Sequence, residues 1–347
     1  MIVFRTDGNP FIGLGHVMRC LSLADALKRK GQDCLFVLSA KDVEDLIQDR
    51  GYNTFILDGS SYDSLENELS VFIPFLLRVS PSALIVDSYF VTKKYLSELK
   101  QIVKIVYFDD LYSFSYPVDC LINYNIYGEK MEYESIYAKE GEELPLLLTG
   151  ASYAPLREAF QNTKPKTCTH HPWEVLISTG GADPLHISVQ LLSEMLKTDF
   201  DDEFHFKLLV GNLNRDKEKI LSLAKELPQV EIISQVKEMK QLLDSCDLAL
   251  SAAGSTLYEL CALGIPTVTY VFADNQLKGA ECFSKKGIML YCGDARLHGN
   301  ISKSLLKAIW ELAKDETKRE KMAMEMRRVV DGRGADRLAK AIIVSFV

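Results

Sequence analysis

Two Rossmann-like α/β domains with parallel sheets are predicted for this chain by three observations: its length, a strand–helix rhythm that runs twice, and a polar break between the two runs. At 347 residues the chain exceeds one average domain and can give each of two domains its own core. In the first run the aliphatic segments IVFR, CLFVL, TFIL, ALIVD and KIVYF are separated by amphipathic stretches. Continuous apolar strands spaced by helices read as βαβ units of a parallel sheet covered on both faces. In MRCLSLADALKRKG the residues Leu21, Leu23, Ala24 and Leu27 lie mostly on one helical face, and Gly31 ends the helix after three basic residues. The pattern lapses over QNTKPKTCTHHP, residues 161–172, which has two prolines and no hydrophobic period. That break divides the chain into domains 1–162 and 173–347. The rhythm restarts with WEVLIS, FHFKLLVG, VEIIS, LALSA and TVTYVF, and the tail after Ile301 reads as helices.

Composition excludes several classes. A hydrophobic content of 47% with 25% charged residues is that of a folded globular chain. The 40 basic and 48 acidic residues leave a net charge of −8, so no electrostatic footprint for nucleic acid is expected. An anionic ligand must be held locally, by backbone amides and a few chosen side chains. Eight cysteines, Cys168 among them, form no CxxC pair, which argues for reduced thiols in a cytoplasmic setting and against a zinc site. No apolar run approaches the roughly 20 residues of a membrane helix, so no membrane insertion is expected. His170 and His171 adjoin one another in the linker and read as solvated.

Directly after the first strand comes GNPFIGLGHVMRC, where Gly13 and Gly15 flank Leu14 and a helix begins at about His16. Such a turn lets backbone approach a ligand and aims free helix amides at it. A dinucleotide site would need a third glycine where Met18 stands and an acid at the tip of the second strand, where FVLSAK has none. A P-loop is also missing. The helix dipole disfavours the positive form of His16 and keeps it neutral, as a general base must be. The alternative is a helix-start histidine that only bonds locally.

In the second half, LALSA runs into AGSTLYELCALGIP, so Gly254, Ser255 and Thr256 form a small-residue turn at a helix N-terminus suited to a diphosphate. Glu259 lies one helical turn beyond Ser255, placed either to bond two ribose hydroxyls or simply to face solvent. STGGADP sets Gly180 and Gly181 at the same sheet edge, as ligand loop or tight turn. Asn275, between Asp274 and Gln276 just before another helix, is either a cap or a ligand contact.

The order GLGHVMRC, GASYAPLREAF, STGGAD, SAAGSTLYELCALGIP and DNQ closely resembles the UDP-2,4-diacetamido-2,4,6-trideoxy-β-L-altropyranose hydrolases of pseudaminic acid biosynthesis, relatives of the MurG-like GT-B glycosyltransferases. The resemblance covers about residues 1–290 and departs at the fourth strand, with DSYF in place of DHYG. It implies the GT-B architecture with a terminal helix crossing back onto the first domain, and a nucleotide sugar held in the cleft with His16 at the reacting end. It further implies that His16 activates water, that the amides of Ser255 and Thr256 hold the diphosphate and Glu259 the ribose, and that Asn275 and Tyr89 serve the reaction. UDP is itself a good leaving group, so neither a paired acid carboxylate nor a metal or other cofactor is required. The expected partners are the UDP-sugar and possible pathway enzymes. Two rival readings stay open, a glycosyltransferase on the same scaffold and a non-catalytic nucleotide-sugar-binding module.

Overall fold

Where a strand is apolar along its whole length, only a central place in a covered sheet removes all of it from water, and such strands organise both halves of this chain. The computed structural model describes residues 1–9, 12–57, 61–164, 172–197, 203–234, 236, 238–297 and 299–347. Cys168, His170 and His171 lie outside the described residues. Two compact units result, one of Met1–Glu158 with Gly332–Val347 and one of Ala159–Asp331.

In the first unit the elements are β1 (Ile2–Thr6), α1 (Gly15–Arg29), β2 (Cys34–Leu38), α2 (Glu44–Gln48), β3 (Asn53–Ile56), α3 (Leu69–Val79) and β4 (Ala83–Asp87). They continue with α4 (Lys93–Lys100), β5 (Ile105–Phe108), β6 (Cys120–Asn123), α5 (Tyr133–Glu140) and β7 (Leu146–Thr149). The sheet order is β3-β2-β1-β4-β5-β6-β7, with every pairing parallel. Both β1 and β4 are buried at all five residues. Their register sets Thr6 opposite Asp87, so the two strands end level and the chain leaves both at one edge. One face of the sheet packs Val3, Leu84 and Val86 against Phe72, Leu76, Tyr95 and Leu99 from α3 and α4. Leu21, Leu23, Ala24 and Leu27 of α1 are fully buried, as their helical spacing predicts. At roughly 1.5–3 kcal/mol for each large aliphatic side chain, this burial outweighs the weak capping of α1, whose N-cap is Leu14 with no side-chain bond.

The second unit repeats the plan with β8 (Trp173–Ser178), α6 (Ile187–Met195), β9 (Phe204–Leu209), α7 (Lys217–Ala224), β10 (Val230–Ile233), α8 (Met239–Asp244) and β11 (Leu248–Ala252). Then follow α9 (Thr256–Leu263), β12 (Thr267–Val271), α10 (Asp274–Lys285), β13 (Leu290–Asp294), α11 (Ser302–Lys314) and α12 (Glu316–Val329). Its parallel order is β10-β9-β8-β11-β12-β13. Strand order therefore reverses between β1 and β4 in one sheet and between β8 and β11 in the other, the points where open α/β sheets bind ligands at their carboxyl edges.

The last helix, α13 (Gly334–Phe346), belongs to the first unit and packs on α1. A division at 173–347 would have left it with the second. Gly334 meets the carbonyl of Ala154 so closely that a Cβ would stand 2.1 Å from its oxygen. Arg337 donates to the Ser152 carbonyl at 2.9 Å, and Arg29 of α1 reaches Asp336 at 2.8 Å. Among the described residues, no helix is long and apolar enough to cross a membrane. Cys20, Cys34, Cys120, Cys261, Cys282 and Cys292 are free thiols.

Candidate functional site

The first unit's switch point is made by the loop after β1, the head of α1 and the carboxyl ends of β4 and β5. Gly13 donates its amide to the Asn9 carbonyl at 2.8 Å with φ +76°, a left-handed conformation in which a side chain would be strained. That turn delivers Leu14 and Gly15, both exposed, and then His16, which is buried in the first turn of α1. Asp87 closes β4 opposite it. The Nδ1 of His16 lies 2.8 Å from Asp87 Oδ1, so Nδ1 is the ring nitrogen that donates to Asp87. The His16 Nε2 is buried and bonds to no described group. The Tyr89 and His16 rings pack in a T-shaped pair, their centroids 4.4 Å apart and their planes at 81°.

Asp87 is itself held. Arg19, three residues along α1 from His16, donates from Nε and Nη2 to the two Asp87 oxygens, each at 2.6 Å. Its Nη1 turns to Asp110 Oδ2 at 2.8 Å and to the Tyr124 hydroxyl at 3.1 Å. The guanidinium also lies over the rings of Phe108 and Tyr124, 4.9 and 5.4 Å from their centroids. Burial works against the Asp87 charge, but Arg19 and then His16 override it and hold the carboxyl well below the ordinary carboxylate range. Tyr89 bonds Asp110 Oδ2 at 3.4 Å. Burial first, and the Asp110 charge second, push its hydroxyl far above the usual tyrosine range, so it stays protonated and acts as a donor.

A second buried charge cluster stands beside it. Arg5 of β1 bonds both oxygens of Glu68 at 2.7 Å and also pairs with Asp7, while Tyr95 donates to Glu68 at 2.7 Å. Asp7 accepts from the amide and hydroxyl of Ser39, each at 2.8 Å. This cluster ties the ends of β1 and β2 to the segment before α3.

The second unit's switch point is built differently. Gly254 and Ser255 are exposed at the head of α9, and Ser255 is the N-cap without a side-chain bond. The amides of Leu257 and Tyr258 already bond the carbonyls of Gly254 and Ser255, at 3.1 and 3.0 Å. Among the described residues this leaves the amides of Ser255 and Thr256 open at the positive end of the helix. Glu259 follows, half-buried in the first turn. Gly180 and Gly181 leave β8, the strand beside β11, at the same edge. Asn275 is exposed inside the first turn of α10, whose N-cap is Ala273. It is therefore no cap, and α10 has no side-chain cap bond; Gln276 instead accepts from the Phe272 amide ahead of the helix at 2.9 Å.

The structure thus brings Gly13, Gly15, His16 and Tyr89 together on the first sheet. Gly180, Gly181, Gly254, Ser255, Thr256, Glu259 and Asn275 belong to adjacent strand ends of the second. Asp87, Arg19 and Asp110 are absent from the sequence-derived set, although an acid closing the apolar run ALIVD and an arginine three residues after His16 were visible signals. Among the described residues, no group of three or more His, Cys, Asp or Glu is arranged to hold a metal ion.

Residues 150–338, more than half of the chain, match the model of the glycosyltransferase family 28 C-terminal domain. The chain belongs to this family. It is 25% identical over 292 residues to the uncharacterized protein MJ1062 of Methanocaldococcus jannaschii, a match covering 81% of this chain and 57% of that protein. It is also 25% identical over 288 residues to the UDP-2,4-diacetamido-2,4,6-trideoxy-β-L-altropyranose hydrolase of Campylobacter jejuni, covering 82% of this chain and 97% of that one. The crystal structure of MurG from Acinetobacter baumannii superposes with a TM-score of 0.69 at 14% identity, over 99% of each chain. The fold is GT-B, with two Rossmann-like units and a helical C-terminal tail.

Proposed function

We propose that this protein hydrolyses a UDP-linked 2,4-diacetamido-2,4,6-trideoxy sugar to UDP and the free sugar, with inversion at the anomeric carbon. The observation that carries the reading is the state of His16, whose Nδ1 is fixed on Asp87 while Nε2 has no described partner. In the reaction Nε2 takes a proton from water as the water oxygen bonds to the anomeric carbon. The bond from that carbon to the diphosphate oxygen breaks, and its electron pair leaves with UDP. Asp87 stabilises the imidazolium that forms, and the proton passes to solvent afterwards. The open amides of Ser255 and Thr256 meet the charge growing on the diphosphate, within reach of the α9 dipole. Glu259 takes the ribose hydroxyls, Gly180 and Gly181 give the backbone room to approach, and Asn275 contacts the substrate. Tyr89 walls the His16 ring and offers a donor. The 25% identity with the Campylobacter jejuni hydrolase over nearly all of that protein supports water as the acceptor.

A second reading, transfer of the sugar to an acceptor hydroxyl, is favoured by the match to the glycosyltransferase family 28 C-terminal domain. Incubating the protein with the UDP-linked diacetamido sugar and no acceptor separates the two. Hydrolysis predicts stoichiometric UDP and free sugar, whereas intact donor sinks it. His16→Asn is expected to lower kcat by roughly 10²–10⁴-fold while UDP affinity is kept. Unchanged turnover in that variant would remove His16 from the chemistry.

A further inference from the structure

The charges behind His16 alternate in sign, and their order matters to the base. On the side of its Nδ1 stands Asp87, on the far side of Asp87 stands Arg19, and beyond Arg19 stands Asp110. Arg19 covers both Asp87 oxygens, so it offsets much of the negative charge that Asp87 offers a proton arriving on His16. We propose that Arg19 and Asp110 are charge-setting positioning residues for this base: Arg19 fixes and neutralises Asp87, and Asp110 restores the net negative charge that steadies the proton taken up by His16.

The surrounding groups leave that count intact. From α1, Cys20 donates to Asp87 Oδ2 at 3.5 Å, and burial holds its thiol far above the usual range, so it stays neutral. Tyr89 and Tyr124 are likewise raised by burial and uncharged. Asn125, beyond β6, donates to Asp110 Oδ1 at 3.0 Å and adds no charge. Asp109 is turned onto the amides of Leu111 and Tyr112, each at 2.9 Å, and onto the Tyr133 hydroxyl at 2.5 Å. Asp7 is occupied by Arg5 and Ser39. What faces His16 through Asp87 is therefore two carboxylates and one guanidinium, a net charge of one negative. Desolvation of the Arg19 guanidinium is opposed first by Asp110 and then by Asp87, which hold it firmly charged.

This inference deepens the assignment of His16 as base and rests on it, so the test needs a readout that does not depend on turnover. The protein is labelled on histidine and the His16 ring titrated by NMR, its resonance among the six histidines identified by its loss in His16→Asn. Asp110→Asn removes a negative charge and is expected to move the His16 midpoint to lower pH, by about 0.5 unit or more. Arg19→Gln removes a positive charge and is expected to move it to higher pH by a similar amount. The acid limb of kcat/KM should follow with the same two signs, and the Asp110→Asn plateau should fall severalfold. A merely structural role does not produce opposite shifts. Equal midpoints in all three proteins, or shifts of the same sign in both variants, overturn the proposal. If Arg19→Gln does not fold, the sign found for Asp110→Asn decides alone. Opposite midpoint shifts in a protein that leaves the UDP-sugar intact would uphold the charge arrangement and overturn the hydrolase reading instead.

Discussion

The carboxyl edges of the two sheets share a topology and differ in what they present. On the first, charged side chains do the arranging: His16, Asp87, Arg19 and Asp110 are largely buried and bonded to one another. On the second, the head of α9 shows exposed small residues and open backbone amides. Buried ion networks cost several kcal/mol of desolvation per ion and persist only where geometry compensates. An uncapped helix start forgoes only about 1 kcal/mol. The first edge therefore suits chemistry that needs one proton in one place. The second suits a polyanion that any row of amides can hold.

The largest effect that could break this comparison is expected from Asp87→Asn. It leaves Arg19 with only Asp110 as a carboxylate partner and His16 without its anchor. We expect a loss of about 3 kcal/mol in unfolding free energy and of roughly 10²-fold or more in kcat, read by denaturant titration and by UDP release. Because the Asp87 carboxyl titrates lower in the folded chain than in the unfolded one, its contribution is whole above about pH 4. It is lost as pH falls through the folded value, so the stability gap between wild type and Asp87→Asn should narrow only in acid. A gap that is constant down to the acid limit would mean that Asp87 carries no net charge advantage.

A smaller effect is expected on the other edge. Glu259→Ala should weaken UDP binding by about tenfold, the worth of one or two hydrogen bonds to a charged group, with a loss of unfolding free energy of about 1 kcal/mol or less. Isothermal titration with UDP checks the first and denaturation the second; a stability loss without an affinity loss would make Glu259 structural. The smallest effect sharpens the contrast most. Ser255→Ala keeps the amide and removes a hydroxyl that makes no cap bond, so UDP affinity should stay within about twofold. A large loss there would show side-chain recognition on the edge assigned to backbone.

Much of this was legible in the sequence because apolar burial writes itself as a pattern. The central strands IVFR, ALIVD, WEVLIS and LALSA are mostly apolar, and the spacing of Leu21, Leu23, Ala24 and Leu27 gave the buried face of α1. The strands β6, β7 and β13, the last two at sheet edges, were missed. They span four or five residues; Leu146 of β7 and Cys292 of β13 are not fully covered, and β6, though buried, is only four residues long and ends in Asn123. At the site, His16 and the α9 turn stand out through glycines, which mark backbone geometry locally. Arg19, Asp87 and Asp110 acquire meaning only from one another across the sheet, through the β1–β4–β5 order, and no local pattern records that. The return of α13 to the first unit likewise leaves no local pattern, and only the resemblance implied it.

That return has a consequence for how the molecule is made. Residues 159–331 leave the ribosome before the sixteen that finish the first unit. Until Gly334 seats on the Ala154 carbonyl, α1, with His16 at its head, lacks the helix that packs on it. The second unit is contiguous in sequence and can form as a self-contained α/β body once residues 159–331 have emerged, whereas α1 and His16 wait for residues 332–347. A nascent chain halted before residue 332 would thus carry a complete second unit and an unfinished first one.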